Sequence, residues 1–252
     1  FAAAARRVVT EHSGALIYSG GDDVLAFLPL DTALPCADAL RRKFDQIVNE
    51  SGASQTQVTL SVGLAIAHYG EHLQELVQWS RDAEKAAKDA GRNALAVALH
   101  TRSGGGEPLV VTASWSSDPL ARWQRWITWH REDRFPDGVA YELRELAREL
   151  AQVEGSEVLT TRFRKPGPPE RELTLVEAEV ERILLRKEPR SGRKLTREQV
   201  DSLLSELDTS NEASLLPSLN RLVKELVISR RIATAVEVAG EAGRATGGVT
   251  HG

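Results

Sequence analysis

Cysteine is nearly absent from this 252-residue chain, where Cys36 stands alone. A single thiol excludes an internal disulfide framework and any zinc site built from several cysteines. Pro35-Cys36-Ala37 falls near an expected helix start, where a small buried residue is the plain reading. Methionine is wholly absent, and aromatic residues make up 5% of the chain. No apolar run reaches the roughly 20 residues of a membrane-spanning helix, and no signal peptide is visible. A soluble cytoplasmic protein is expected. Charge of one sign is not in large excess either, since 32 Lys/Arg face 36 Asp/Glu for a net of −4. Residues 1–103 hold 10 Lys/Arg against 12 Asp/Glu, and residues 104–252 hold 22 against 24. Each part is thus at −2, so no basic block is expected and any RNA contact should be local or made through partners. What is plentiful is core-forming material: hydrophobic residues are 41% of the chain, so a packed fold is expected. The chain opens on Phe1, and residues 2–9 read as the second half of a helix. The sequence is therefore expected to be a piece lacking its N-terminal part.

The most informative stretch is Tyr18-Ser19-Gly20-Gly21-Asp22-Asp23. Gly14-Ala15-Leu16-Ile17-Tyr18 precedes it and Val24-Leu25-Ala26-Phe27-Leu28 follows it. Apolar flanks around two glycines and two acids predict a β-hairpin with a tight turn. Glycine supplies the positive φ that such turns need and lets a ligand approach the backbone. Adjacent carboxylates suit a hard cation such as Mg²⁺, which takes the rest of its shell from water and substrate phosphates. The bland alternative is a solvated turn, because turns use Gly and Asp anyway.

Taken in order, residues 2–12 read as a helix ending at Ser13-Gly14, followed by strands near 15–18 and 24–28. A helix capped by Asp31 or Thr32, with Pro35 in its first turn, carries Leu40, Phe44, Ile47 and Val48 on one face. Residues 57–67 alternate as a strand, and the small Ser61, Gly63 and Ala65 suggest a close approach on one side. A helix over 71–90 stops at Gly91, and residues 94–99 form a short strand. This order matches a ferredoxin-like βαββαβ palm lacking its first strand, with one strand added. The Ser/Gly-rich stretch 101–106 is taken as a boundary, and residues 108–112 look like one more strand. Five helices follow, with residues 155–172 read as a loop. The expected fold is α+β: a partial ferredoxin-like palm over 1–103, an all-α domain over 104–239, and a Gly-rich disordered tail over 240–252.

Three pieces now stand together: Ser19-Gly20-Gly21-Asp22-Asp23, the strand with Ser61-Val62-Gly63, and Ala87-Lys88-Asp89-Ala90-Gly91-Arg92-Asn93. Together they resemble the GGDEF/palm superfamily of nucleotide cyclases. The Gly-Gly-Asp-Asp form, followed by a helical part with Phe135-Pro136-Asp137-Gly138-Val139-Ala140-Tyr141-Glu142-Leu143, is similar to the large subunit of type III CRISPR–Cas effector complexes, Cmr branch. That resemblance implies synthesis of cyclic oligoadenylates from ATP when target RNA binds. It implies that Asp22 and Asp23 hold Mg²⁺ or Mn²⁺ and carry the catalysis. Ser19, Gly20 and Gly21 would lie against the nucleotide, and Lys88 would meet its phosphates as a mobile charge. It also implies other complex subunits, crRNA and target RNA as partners. A 3′-hydroxyl would attack the α-phosphate of a second nucleotide, and pyrophosphate would leave. The piece alone, without the first strand and a companion palm, is expected to be inactive.

Two other functions compete. A diguanylate cyclase is disfavoured by Asp-Asp-Val where that family has an acid followed by Phe, and by about 150 mostly helical residues after the palm. A non-catalytic scaffold of a ribonucleoprotein complex is disfavoured by the intact Asp pair. His68-Tyr69-Gly70-Glu71-His72 matches the inverted zinc-protease pattern H-x-x-E-H, which needs a helix to face both His one way. Here it spans a strand end, a Gly and a helix start, so it reads as a chance match. Trp115, Trp123, Trp126 and Trp129 read as helical core before base-stacking platform. Arg162, Arg164 and Lys165 read as a solvated basic stretch beside a Pro-rich loop.

Overall fold

A computed structural model describes residues 1–21, 23–50, 58–101, 107–135, 138–152, 157–165, 171–186 and 188–247. The fold is α+β, with small sheets and many helices. The chain divides into two compact units, one from residues 1–125 with 232–252 and the other from 126–231.

The first unit opens with α1 (Ala2–Glu11), then the hairpin β1 (Ala15–Gly20) and β2 (Asp23–Phe27). Gly20 pairs with Asp23, and the register slips between Leu16 and Tyr18, a bulge that leaves Ile17 as the extra residue. Leu16, Val24 and Ala26 turn inward onto Ala5, Val8 and Val9 of α1 and onto Cys36 and Leu40 of the next helix. That helix, α2 (Leu30–Glu50), starts earlier than its expected cap. Thr32 Oγ1 donates instead to the His12 carbonyl at 2.7 Å, tying α2 back to the end of α1. Pro35 consequently lies past the first turn, inside the helix.

A second sheet of the same unit has the order β3-β4-β5. β3 (Val62–Ile66) runs parallel to β4 (Ala94–Leu99), and β5 (Leu109–Ser114) is antiparallel to β4. β3 is shorter than the expected 57–67. Its ladder to β4 begins at Val62, and the Leu60 carbonyl accepts a hydrogen bond from Trp115 Nε1 at 3.1 Å. Residue 57 lies outside the described residues. The parallel pair is joined by α3 (Leu73–Asp89), which packs on both strands. What approaches Gly63 is this helix: a Cβ on Gly63 would stand 2.1 Å from the Glu84 backbone nitrogen. β4 is buried along its whole length, between α3 and its two neighbouring strands. Leu73, expected inward, is 59% exposed at the helix start.

The second unit is mainly helical. Its elements are the end of α4 (Pro119–Arg131), α5 (Val139–Leu150), the single turn α6 (Glu157–Thr160), α7 (Leu175–Arg186), α8 (Arg197–Leu204) and the first part of α9 (Glu212–Gly247). The region after residue 103 is nevertheless not all-α. Besides β5, a hairpin of β6 (Arg162–Lys165) and β7 (Arg171–Thr174) occupies the expected loop. Two capping boxes fix helix starts. Thr196 and Gln199 exchange side-chain and backbone hydrogen bonds at α8, as expected, and Thr174 and Glu177 do the same at α7. The core gathers Trp126, Trp129, Leu143, Val180, Leu203, Leu219 and Leu222 among others. Trp126 Nε1 donates to the buried Glu225 carboxylate at 3.1 Å, which Arg221 also meets at 3.2 Å. Trp126 and Trp129 are therefore core residues. α9 continues through residues 240–247, where a disordered tail is expected, with helix formers such as Glu241 and Ala242 offsetting part of the cost of the glycines; residues 248–252 lie outside the described residues.

Candidate active site

β1 and β2 pair antiparallel, as in the hairpin expected from the sequence pattern. Gly20 and Asp23 close the ladder, and Gly21 follows Gly20. Asp22 lies outside the described residues. Gly21 has φ +61°, the left-handed region, and nothing lies within 4 Å of where its Cβ would be. Glycine is needed there for its backbone, and the space beside it is open. Gly20 differs, because a Cβ there would meet the Tyr18 hydroxyl at 2.4 Å, the movable end of a long side chain. Asp23 opens β2 and is exposed, so its carboxylate is available to a ligand from solvent. Ser19 is half-buried, and its hydroxyl donates to the Ala2 carbonyl at 3.3 Å. The turn is thus fastened to the first turn of α1. No side chain caps that turn.

Ser19, Gly20, Gly21 and Asp23 are held together by the hairpin. Lys88 belongs to a different packing group. It sits in the last turn of α3, on the second sheet, and its Nζ pairs with Glu84 Oε1 at 2.6 Å, one helical turn back. The side chain is about half exposed. A nucleotide reaching Lys88 would have to compete with that exposed ion pair, which is worth little in water. Among the described residues, no group of three or more His, Cys, Asp or Glu side chains is arranged to hold a metal ion. The His68–His72 motif is split as expected: His68 and Tyr69 follow β3, His68 Nδ1 accepts from the Gly70 amide at 3.1 Å, and His72 immediately precedes α3 without a side-chain capping bond.

Residues 1–96 match the family model described as Cas10/Cmr2, second palm domain. The resemblance to the Cas10/Cmr2 second palm is thus confined to this segment. A 100-residue stretch is also 41% identical to the CRISPR system Cmr subunit Cmr2 of Pyrococcus furiosus. That alignment covers 39% of this chain and 11% of the relative, so the similarity spans only a small part of that protein's length. The Cas10/Cmr2 match takes in the hairpin turn, β3, α3 with Lys88, and the start of β4.

Sequence reasoning missed two features beside these residues. His100, which follows β4, stacks on Trp79 of α3 with ring centroids 4.1 Å apart and planes 13° apart. Burial lowers its pKa below the usual histidine value, partly offset by Asp82. Arg41 lies 5.3 Å over the Trp115 ring, linking α2 to the end of β5. Both pairs join residues far apart in sequence, so no local pattern announces them. Among the described residues no helix is long and apolar enough to cross a membrane.

Proposed function

We propose that residues 1–103 form the partial, ferredoxin-like palm of a type III CRISPR effector large subunit of the Cmr branch, lacking its first strand. In this reading the palm joins ATP into cyclic oligoadenylates when the assembled complex binds target RNA. The observation that carries the reading is the family match over residues 1–96, which takes in the Gly20-Gly21-Asp22-Asp23 sequence where β1 and β2 meet. The chain would act within a complex that also holds crRNA and further protein subunits.

The donor set fits a hard divalent cation. Asp23 is exposed at the start of β2, and it and its sequence neighbour Asp22 would supply the carboxylate oxygens that Mg²⁺ or Mn²⁺ prefers when substrate phosphates complete the shell. Held there, a divalent cation would supply Lewis-acid activation of the attacking 3′-oxygen and charge neutralisation for the leaving pyrophosphate. The chain's own residues bind and orient. Gly21 leaves open space beside the acids, where a phosphate can approach the backbone. Ser19 holds the turn against α1 through its hydrogen bond to the Ala2 carbonyl. Lys88 would exchange Glu84 for a phosphate oxygen on a closed site.

Nucleotide choice tests the reading. The full-length protein in its effector complex, given target RNA and Mg²⁺, should convert labelled ATP into oligoadenylates with 3′–5′ links. Turnover of GTP to a cyclic dinucleotide in place of ATP would favour the diguanylate cyclase alternative and remove this one.

A further inference from the structure

We infer that Tyr18 contacts the substrate where β1 and β2 meet, its phenol donating a hydrogen bond to a phosphate oxygen of the nucleotide. The nucleotide is the one that the palm reading brings to Asp22 and Asp23, and the role of Tyr18 rests on that reading.

The pairing register sorts the side chains of the hairpin onto two faces. Residues directly opposite on paired strands share a face, and so do residues two apart on one strand. Tyr18 pairs with Leu25, Ser19 with Val24, and Gly20 with Asp23. Val24 packs on the core between α1 and α2, and the Ser19 hydroxyl donates to the Ala2 carbonyl, so these two mark the inner face. Tyr18, Gly20, Asp23 and Leu25 therefore share the outer face. Of the two hydroxyls in β1, that of Ser19 is turned inward and engaged, and that of Tyr18 is turned outward.

Tyr18 is 56% exposed, yet its ring does not stand away from the strand. It leans along β1 towards Gly20. The hydroxyl oxygen lies 2.4 Å, Cζ 2.8 Å and Cε2 3.3 Å from the point where a Gly20 Cβ would be. A side chain at position 20 would claim that space, so glycine makes room for the phenol. Gly20 stands directly opposite Asp23, and such partners have Cα atoms only about 4.5–5.5 Å apart. The phenol is thereby brought to the end of the outer face that carries the exposed Asp23 carboxylate. Among the described residues no hydrogen bond engages the Tyr18 hydroxyl.

The chemistry at this place calls for a donor. Carboxylates hold phosphate oxygens only through a cation and repel any oxygen that the cation leaves free. Lys88 rides on α3 and is paired with Glu84. Gly20 and Gly21 bring no side-chain donor, and the Ser19 hydroxyl is spent on α1. A phenol is a neutral O–H donor beside two acids, and a hydrogen bond to a charged phosphate oxygen is stronger than one between neutral groups.

The test is calorimetric titration of the full-length protein in its complex with α,β-methylene ATP, which cannot release pyrophosphate, in the presence of Mg²⁺. Tyr18→Phe keeps the ring, removes only the hydroxyl, and should raise Kd about tenfold or more. In oligoadenylate formation the same variant should raise KM for ATP by a similar factor and leave kcat within about threefold, the pattern of lost ground-state binding. Tyr69→Phe, at a 93% exposed tyrosine after β3, should leave Kd unchanged. An unchanged Kd in Tyr18→Phe would overturn the inference. If affinity then falls only in Tyr18→Ala, the ring stacks on the base; if only complex assembly weakens, Tyr18 is a subunit contact. An equal loss in Tyr69→Phe would overturn it as well. The palm reading fails on a different result, undiminished product from Asp22→Ala/Asp23→Ala.

Discussion

Replacing Gly63 with alanine should destabilise the first unit by about 3 kcal/mol, at or above the top of the usual range for overpacking. The new Cβ would stand 2.1 Å from Glu84 N, 2.6 Å from Ala83 C and 2.6 Å from Glu84 Cα. Non-bonded contact needs about 3.5 Å, so β3 and α3 must separate by more than an ångström. All three obstructing atoms are backbone, so no rotamer change relieves them. The seam that opens is the one where Ala83 and Ala87 are 2% and 0% exposed. Gly63 has no positive φ, so the penalty is steric and does not come from backbone strain. Urea unfolding followed by circular dichroism measures it. The midpoint should fall with little change in slope, and the thermal midpoint should drop by about 6–12 °C for a chain of this size. A Gly63→Ala protein within about 0.5 kcal/mol of the parent would refute the close approach of α3.

Other consequences can be checked separately. Gly21→Ala meets open space but must keep φ +61°, so it should cost only about 1 kcal/mol, with Gly21→Asn milder, by the same unfolding assay. Glu181→Ala leaves Lys165, Arg171 and Arg197 facing one another without their carboxylate, and should cost about 3–5 kcal/mol in the second unit. An unchanged melting curve would show that the cluster is not formed. Burial pushes the Cys36 thiol up from 9.0 to about 11. The unfolded thiol therefore ionises first, so this contribution is complete below pH 9 and is lost as pH rises towards 11. Its loss should amount to about 2 kcal/mol, seen as a steeper fall in melting temperature above pH 9 than in Cys36→Ala.

The sequence made some of these features plain and hid others, for physical reasons. The hairpin tip, the α3 stop at Gly91 and the Thr196–Gln199 box depend on residues a few positions apart, and each appeared where its local chemistry put it. β3 was read too long because Val58 and Leu60 continue the alternation, while the end of the strand is set by its partner β4 and by the Trp115 indole. The β6–β7 hairpin was missed because its strands are only four residues each and lie beside a Pro-rich stretch. Its support is the convergence of Lys165, Arg171 and Arg197 on Glu181, which no local pattern reveals. Of the candidate site, the hairpin residues Ser19, Gly20, Gly21 and Asp23 were legible as one group. That Lys88 rides on the other sheet's helix, paired with Glu84, required the tertiary structure.

Oligoadenylate formation by the full-length protein in its complex tests the central claim most directly, comparing the parent with Asp22→Ala/Asp23→Ala. Labelled ATP, Mg²⁺ and target RNA should give product with the parent and a loss of at least a hundredfold with the double variant, while complex assembly is unchanged. Undiminished product from an intact complex carrying both substitutions would contradict the assignment of catalysis to this turn.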